Sequence, residues 1–193
     1  MRKIPSEYEN PFDDTLLNIC EDVAPTFHSY GFTPNMITTL SNISAILVVI
    51  LLLKANYIWA SVLFIISYFF DCLDGHIARK YNQVSVFGDY YDHISDYIKY
   101  VLVLFVLHWI DNNKFMEILP YITIVSILMC VHLGYQEKYY DKPDSYTLEQ
   151  TKLFAPGDSN DKKMIGRIMK YTKYVGSGTF NLVIALSILY YNY

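Results

Sequence analysis

Cysteine is scarce: the 193-residue chain has three, Cys20, Cys72 and Cys130, widely spaced and with no CxxC pair. That spacing excludes a small disulfide framework and a cysteine-based zinc site, so free thiols are expected. Charge is also short. Charged residues make up 18% of the chain and the formal net charge is −4, so bulk charge argues for no particular partner and no nucleic acid is expected. Met1 to Asn10 holds no apolar run, so no signal peptide is expected and the amino terminus should stay on the side of synthesis. Internal repeats and low-complexity tracts are absent.

What is there is apolar. Hydrophobic residues make up 53% and aromatic residues 17% of the chain, more than a soluble core needs. By length this is one domain, 1–193. The pattern predicts an all-α, polytopic membrane bundle of five to six spans, with spans at about 36–53, 57–79, 86–110, 116–134 and 175–191. Lys54-Ala55-Asn56 and Asp111–Lys114 turn the chain between spans. Residues 1–35 read as a cytosolic tail and an interfacial helix, because Phe12, Leu16, Ile19, Cys20, Val23 and Phe27 recur at helical spacing. A helix packed on its own domain is the other reading. Span one carries Thr38, Thr39, Ser41, Asn42 and Ser44, which suit helix packing or substrate contact.

A polar section, Tyr135–Tyr174, separates the last two spans, with Pro143, Pro156 and Gly157 as breakers. Lys162, Lys163, Arg167, Lys170 and Lys173 form a basic amphipathic pattern there. It suits contact with anionic lipid or a phosphorylated acceptor. Of fifteen Lys and Arg, Lys54 and Lys114 lie in connections on one side and Lys99 lies within a span. The other twelve share the opposite side, which is therefore expected to be cytosolic.

Acids break the apolar setting in one place. Asp71–Asp96, DCLDGHIARKYNQVSVFGDYYDHISD, holds five aspartates between the apolar runs Tyr57–Phe70 and Tyr97–Ile110. At about 100° per residue, Asp71, Asp74, Gly75, Ala78 and Arg79 share one helix face, as do Gly88, Asp92 and Asp96 on the next. If the helices run antiparallel through a connection near residues 80–85, Asp71 lies level with Asp96 and Asp74 with Asp92, forming a rectangle of carboxylates. Each apolar run makes about 21 Å of helix. The rectangle then falls in the loop-side third of a hydrocarbon core about 30 Å thick, where a lipid-tailed donor can meet a water-soluble acceptor. An intramembrane acid costs about 2.5 to 3.5 kcal/mol even on the mild insertion scale, so four together need compensating charge. An all-oxygen site suits Mg²⁺ or Mn²⁺, and two ions bridged by carboxylates suit in-line displacement at phosphorus. Asp71, Asp74, Asp92 and Asp96 are thus candidate metal ligands. A structural polar cluster and a small cation carrier are the competing readings.

Asp71-x2-Asp74-Gly75-x2-Ala78-Arg79-x8-Gly88-x3-Asp92-x3-Asp96 resembles the complete signature of the CDP-alcohol phosphatidyltransferase family, with no departure within it. Thr33-Pro34-Asn35-Met36-Ile37-Thr38 is similar to the Pro-Asn start of that family's first membrane helix. Beyond about residue 135 little matches. The resemblance implies an integral-membrane transferase of phospholipid biosynthesis, working as a homodimer among membrane lipids with its active site facing the cytosol. It would move a substituted phosphate from a CDP-linked donor to an alcohol or diacylglycerol acceptor, release CMP and use two Mg²⁺ or Mn²⁺ ions. The same resemblance makes Asp96 the general base as well as a ligand, since a carboxylate near the attacking hydroxyl can take its proton. Gly75, Ala78 and Gly88 resemble small residues that let backbones and a cytidine nucleotide approach, with helix packing alone the other reading. Arg79 resembles the diphosphate contact, which suits the guanidinium fork. Ser85 and Asn35 resemble donor contacts.

Local residues point to two substrate arrangements. Gly75-His76, Ala78-Arg79 and Asn82-Gln83 with Phe87-Gly88 resemble phosphatidylinositol synthases, which use CDP-diacylglycerol; Asp92-His93 and Thr33-Pro34-Asn35 resemble choline and ethanolamine phosphotransferases, which act on diacylglycerol. The balance leans to CDP-diacylglycerol. An inactive CDP-lipid-binding homologue also remains. Family members commonly have six spans against five here, which puts the carboxyl terminus on the far side. Outside the signature, Cys72 reads as a helix filler, Asp89 as an exposed or paired surface acid, and His132 as a satisfied core histidine. Lys99 either neutralises Asp96, holds an acceptor anion, or snorkels to the interface.

Overall fold

The computed structural model describes residues 2–140 and 147–193. The expected breaker Pro143 lies outside the described residues. Among those described, all regular structure is helical: α1 Pro11–Ser29, α2 Pro34–Leu53, α3 Tyr57–Lys80, α4 Val86–Ile110, α5 Asn112–Tyr140, α6 Lys162–Thr172 and α7 Ser177–Tyr190, with short 3-10 helices at Ser6–Tyr8, Leu148–Phe154 and Lys173–Val175.

Local chemistry sets the boundaries. Asn10 and Thr33 cap α1 and α2 with their side chains, and a proline follows each cap. Asp111 is the whole connection between α4 and α5, because its carboxylate accepts the N–H groups of Asn113 and Lys114 and starts α5 at once. The turn expected over Asp111–Lys114 is therefore mostly helix. At the other end α5 runs on to Tyr140, beyond the expected 134. Its 29 residues make about 43 Å of helix, so one end projects past a hydrocarbon core.

Four helices, α2 to α5, are long and apolar enough to cross a membrane. The fifth expected span is a shorter helix, α7, whose 14 residues make about 21 Å. Ile184 and Ile188 of α7 are fully buried with Val48, Leu52, Phe64, Val103 and Leu107. The outward faces of α4 and α5 carry Phe105, Trp109, Tyr121 and Ile124, all exposed, an arrangement suited to lipid.

The bundle is organised around α2, which packs on both α3 and α4 while those two scarcely touch each other. Ser41 and Ser67 bring α2 against α3 by reciprocal bonds, each hydroxyl donating to the other's carbonyl at 2.9 Å. Asn42 donates to Tyr91 Oη at 3.2 Å and Ser95 Oγ at 3.0 Å, joining α2 to α4. A gap is left between α3 and α4.

α1 packs on α3 and α7. Its buried stripe is Asp13, Leu16, Leu17, Cys20 and Ala24, rotated from the expected apolar face: Ile19 points out and Asp13 points in. Asp13 turns inward because Oδ1 accepts the Tyr68 hydroxyl at 2.6 Å and Oδ2 accepts the Gly178 N–H at 3.0 Å, in the first turn of α7.

Candidate active site

The turn between α3 and α4 sets the site's register. Asn82, at φ 55°, leaves the helix in the left-handed region, and Gln83 N–H reaches back to Ala78 O at 2.8 Å, which closes α3. Ser85 then opens α4, its hydroxyl accepting the Gly88 N–H at 3.0 Å. Lys99 of α4 brings Asp71 level with Asp96, its Nζ lying 3.8 Å from Asp71 Oδ1 and 2.6 Å from Asp96 Oδ1, as an antiparallel arrangement requires.

The four acids face each other across the α3–α4 gap, but unequally. One oxygen from each of Asp71, Asp92 and Asp96 lies within 4.8 Å of the others. Asp74 stands beside this trio, almost fully buried, and Thr38 of α2 donates to its Oδ2 at 2.5 Å. The expected rectangle is thus a trio with a fourth carboxylate held back by α2.

These residues fit a divalent cation. Oxygens bound to one Mg²⁺ at about 2.1 Å are at most about 4.2 Å apart, and those of the trio lie within 4.8 Å of one another, near enough for one ion to draw them in. Asp92 Oδ1 is shut from solvent and has no hydrogen-bond partner among the described residues. A buried carboxylate oxygen in that state is costly unless a cation or donor meets it. Lys99 supplies part of the compensation, its Nζ at 2.6 Å from Asp96 Oδ1 and 3.8 Å from Asp71 Oδ1. Of the three expectations for Lys99, neutralising Asp96 is the one that matches, because the side chain is buried rather than snorkelling.

The small residues make room for specific neighbours. A Cβ at Gly75 would lie 3.2 Å from Arg79 Nη1, so the guanidinium folds back over position 75. A Cβ at Gly88 would meet Ser85 Oγ at 2.9 Å and Asn35 Oδ1 at 3.1 Å. Gly88 thus lets the start of α2 and the cap of α4 converge.

One cavity of about 790 Å³ is lined by all ten residues singled out in the sequence: Asn35, Asp71, Asp74, Gly75, Ala78, Arg79, Ser85, Gly88, Asp92 and Asp96. Cys72 borders it too while packing on the cluster of Cys20, Leu73 and Ile77, in keeping with a helix filler. Away from the acids the wall becomes apolar, with Val101 and Leu104 of α4 facing Leu119, Ile122 and Ile127 of α5.

The amino-terminal segment closes the polar end, a contribution the sequence reading missed. Lys3, Glu9 and Asp13 line the cavity, and Lys3 pairs with Glu137 of α5. Burial, with the adjacent Asp13 carboxylate, pushes Glu9 up to about 7. Burial pushes Asp13 up to about 6, against the Tyr68 and Gly178 hydrogen bonds that favour its charged form. No short motif announces contacts between residues so distant in sequence. Thr38 was noted in the sequence within a polar group suited to packing or substrate contact and at the end of the Thr33–Thr38 stretch, without a link to Asp74; its spacing of three from Asn35 is the signal that sets it on the same face.

Other expectations meet their surroundings. His132 is fully buried between Thr172 Oγ1 at 2.9 Å and Gln136 Nε2 at 3.1 Å, a satisfied core histidine. Asp89 is paired rather than exposed, accepting the N–H and hydroxyl of Thr147 at 3.2 Å each. Lys163, Arg167 and Lys170 of α6 point to solvent, and none of them lines the cavity.

Comparison with known proteins agrees with the geometry. Archaetidylinositol phosphate synthase of Pyrococcus horikoshii is 32% identical over 85 residues, covering 44% of this chain and 45% of that protein. CDP-diacylglycerol–glycerol-3-phosphate 3-phosphatidyltransferase of Rickettsia typhi is 39% identical over 83 residues, covering 41% and 46%. The matched stretch thus spans about half the length of these curated relatives. No solved structure matches the chain. The family model for CDP-alcohol phosphatidyltransferase matches residues 32–147, which take in α2, α3, α4, α5 and the whole acidic signature. On that match, with four helices able to span a bilayer, the chain is an integral membrane protein of the CDP-alcohol phosphatidyltransferase family.

Proposed function

We propose that this protein transfers a phosphatidyl group from CDP-diacylglycerol to the hydroxyl of an alcohol and releases CMP, with its active site open to the cytosol. The observation that carries the reading is the convergence of nine signature-region residues and Asn35 on one cavity that is acidic at one end and apolar at the other. Arg79, folded over Gly75, would hold the donor diphosphate, and Asn35, Ser85 and Gly88 would frame its nucleotide. The facing walls of α4 and α5 would take the lipid tails. The Rickettsia relative is named for a CDP-diacylglycerol donor, which favours that donor here.

Asp71, Asp74, Asp92 and Asp96 would hold the metal, Mg²⁺ or Mn²⁺, as two ions. When bound, it supplies Lewis-acid polarisation of the phosphoryl oxygens. Asp96 is the proposed base, because its carboxylate lines the cavity and can take the proton of the attacking hydroxyl. Thr38 holds Asp74 at a fixed angle through its hydrogen bond. The alcohol oxygen attacks the phosphorus that bears the diacylglycerol oxygen, the bond to CMP breaks, and the alcohol proton passes to Asp96.

Orientation is supported by charge. The amino-terminal segment, the α3–α4 connection and α6 lie at one end of the bundle, joined by Lys3 to Glu137 and by Thr147 to Asp89. Among the described residues, that end carries eleven of the fourteen Lys and Arg. A homodimer is part of the proposal on family grounds.

The test is CMP release by purified protein in lipid nanodiscs with Mg²⁺ or Mn²⁺, offering CDP-diacylglycerol with a panel of alcohols. Metal-dependent release, lost in Asp96→Asn, is expected. Release only from CDP-choline or CDP-ethanolamine with diacylglycerol would reverse the donor assignment. No release with any pair from folded protein would move the reading to a CDP-lipid binder or a cation carrier.

A further inference from the structure

Lys99 belongs to no part of the signature, yet it is the most deeply buried cation near the acids. It lies one helical turn beyond Asp96 on α4 and is 3% exposed. An ammonium inside a membrane helix is costly, and a lysine stem is long enough to reach the interface when nothing holds it. Here Nζ turns inward, 2.6 Å from Asp96 Oδ1 and 3.8 Å from Asp71 Oδ1. Among the described residues these are its acid partners, and the Tyr100 ring, 5.2 Å away, completes its surroundings. Asp71 and Asp96 line the cavity while Lys99 does not. The ammonium is therefore buried behind the carboxylates rather than on the cavity wall.

We propose that Lys99 is a positioning residue: a built-in cation that fixes the Asp96 carboxylate toward the cavity and shares the acid cluster with the divalent ion. The inference rests on the phosphotransferase reading above. It has two consequences of opposite sign. Like charges repel, so the ammonium weakens divalent-ion binding. By holding Asp96 in a single orientation, it also raises turnover. A purely structural lysine would not separate the two effects.

The experiment is Mn²⁺ titration of the full chain in nanodiscs, followed by electron paramagnetic resonance without donor or acceptor, beside the rate of CMP release. Lys99→Met and Lys99→Gln remove the charge and keep most of the volume; Lys99→Arg keeps the charge. Both neutral variants are expected to bind Mn²⁺ about 10-fold more tightly. They should also turn over about 10- to 100-fold more slowly, the usual effect of losing a group that orients a ligand. Lys99→Arg should bind Mn²⁺ about as wild type does and turn over faster than either neutral variant. Mn²⁺ binding that is unchanged or weaker in the neutral variants, or neutral variants that do not fold while Lys99→Arg binds and turns over as wild type, overturns the proposal and leaves Lys99 a structural lysine. Wild type that binds no more Mn²⁺ than Asp92→Asn would overturn the metal-site reading instead.

Discussion

Asp13 on α1 and Asp92 on α4 both turn carboxylate oxygens into the interior at the same end of the bundle, and they differ in what those oxygens meet. Asp13 has a donor on each oxygen, the Tyr68 hydroxyl and the Gly178 N–H, and so ties α1 to α3 and α7. Asp92 Oδ1 has no partner among the described residues, and one Asp92 oxygen lies within 4.8 Å of oxygens of Asp71 and Asp96. A buried acid that is fully bonded is a structural joint, whereas one with an orphaned oxygen among like charges is poised for a cation. A carboxylate oxygen shut away from solvent is common to both, so that alone does not identify the site. Hydrogen-bond satisfaction does.

The largest effect should separate the two directly. Asp92→Asn is expected to lower CMP release by more than about 10²-fold, since even partners that only orient a metal ligand cost about 10- to 100-fold. Its unfolding temperature should hold or rise, because a like charge is removed. Asp13→Ala should do the reverse, leaving Mn²⁺ affinity in place while destabilising the fold by about 1 to 3 kcal/mol through two orphaned donors. Thermal unfolding and metal titration of both variants read this, and the comparison breaks if their phenotypes exchange.

A pH effect of intermediate size sharpens it. Glu9 rises from an ordinary 4.5 to about 7 and Asp13 from 3.8 to about 6, each chiefly through burial. The folded protein then keeps protons that the unfolded chain has released, so these groups favour folding at low pH and their contribution is lost as pH rises through about 6 to 7. Glu9→Gln should remove on the order of 2 to 3 kcal/mol of this decline between pH 4 and 8. Unfolding curves across that range, with wild type and variant equally pH-dependent, would show that Glu9 is not held protonated.

Thr38→Val keeps the shape at Asp74 and removes its hydrogen bond, so turnover and Mn²⁺ affinity should each fall about 10-fold, with recovery in Thr38→Ser. Equal kinetics in the valine variant would return Thr38 to the packing role suggested by its neighbours. The smallest effect belongs to Gly75→Ala, whose Cβ at 3.2 Å from Arg79 Nη1 must move the guanidinium. The KM for the CDP-linked donor should rise about 3- to 10-fold with kcat nearly constant. A change in kcat alone would detach Arg79 from donor binding.

Much of this site was legible in the sequence because helical spacing encodes faces. Asp71, Asp74, Gly75, Ala78 and Arg79 recur at three and four residues, as do Gly88, Asp92 and Asp96, and all eight line one cavity. Ser85, expected from the sequence near these residues, lines the same cavity, and its hydroxyl caps α4. α1 was legible as a helix, but its buried face was not, because Asp13 turns inward for partners on α3 and α7. The helix α5 extends past the expected span of 116–134 at both ends, since a single aspartate makes the turn before it and its polar last turns pack on the segments that follow.

By itself the sequence determined the helices, the two acidic faces and the family, all of which depend on residues within a few turns of one another. Only the tertiary structure decided that α3 and α4 stand apart with α2 packed on both, which turns two polar faces into the walls of a cavity. It also decided that Lys99 points inward, that Thr38 reaches Asp74, and that Lys3 and Glu9 close the polar end. Those contacts join residues on different helices, where position is set by how the bundle packs rather than by the periodicity of any one helix.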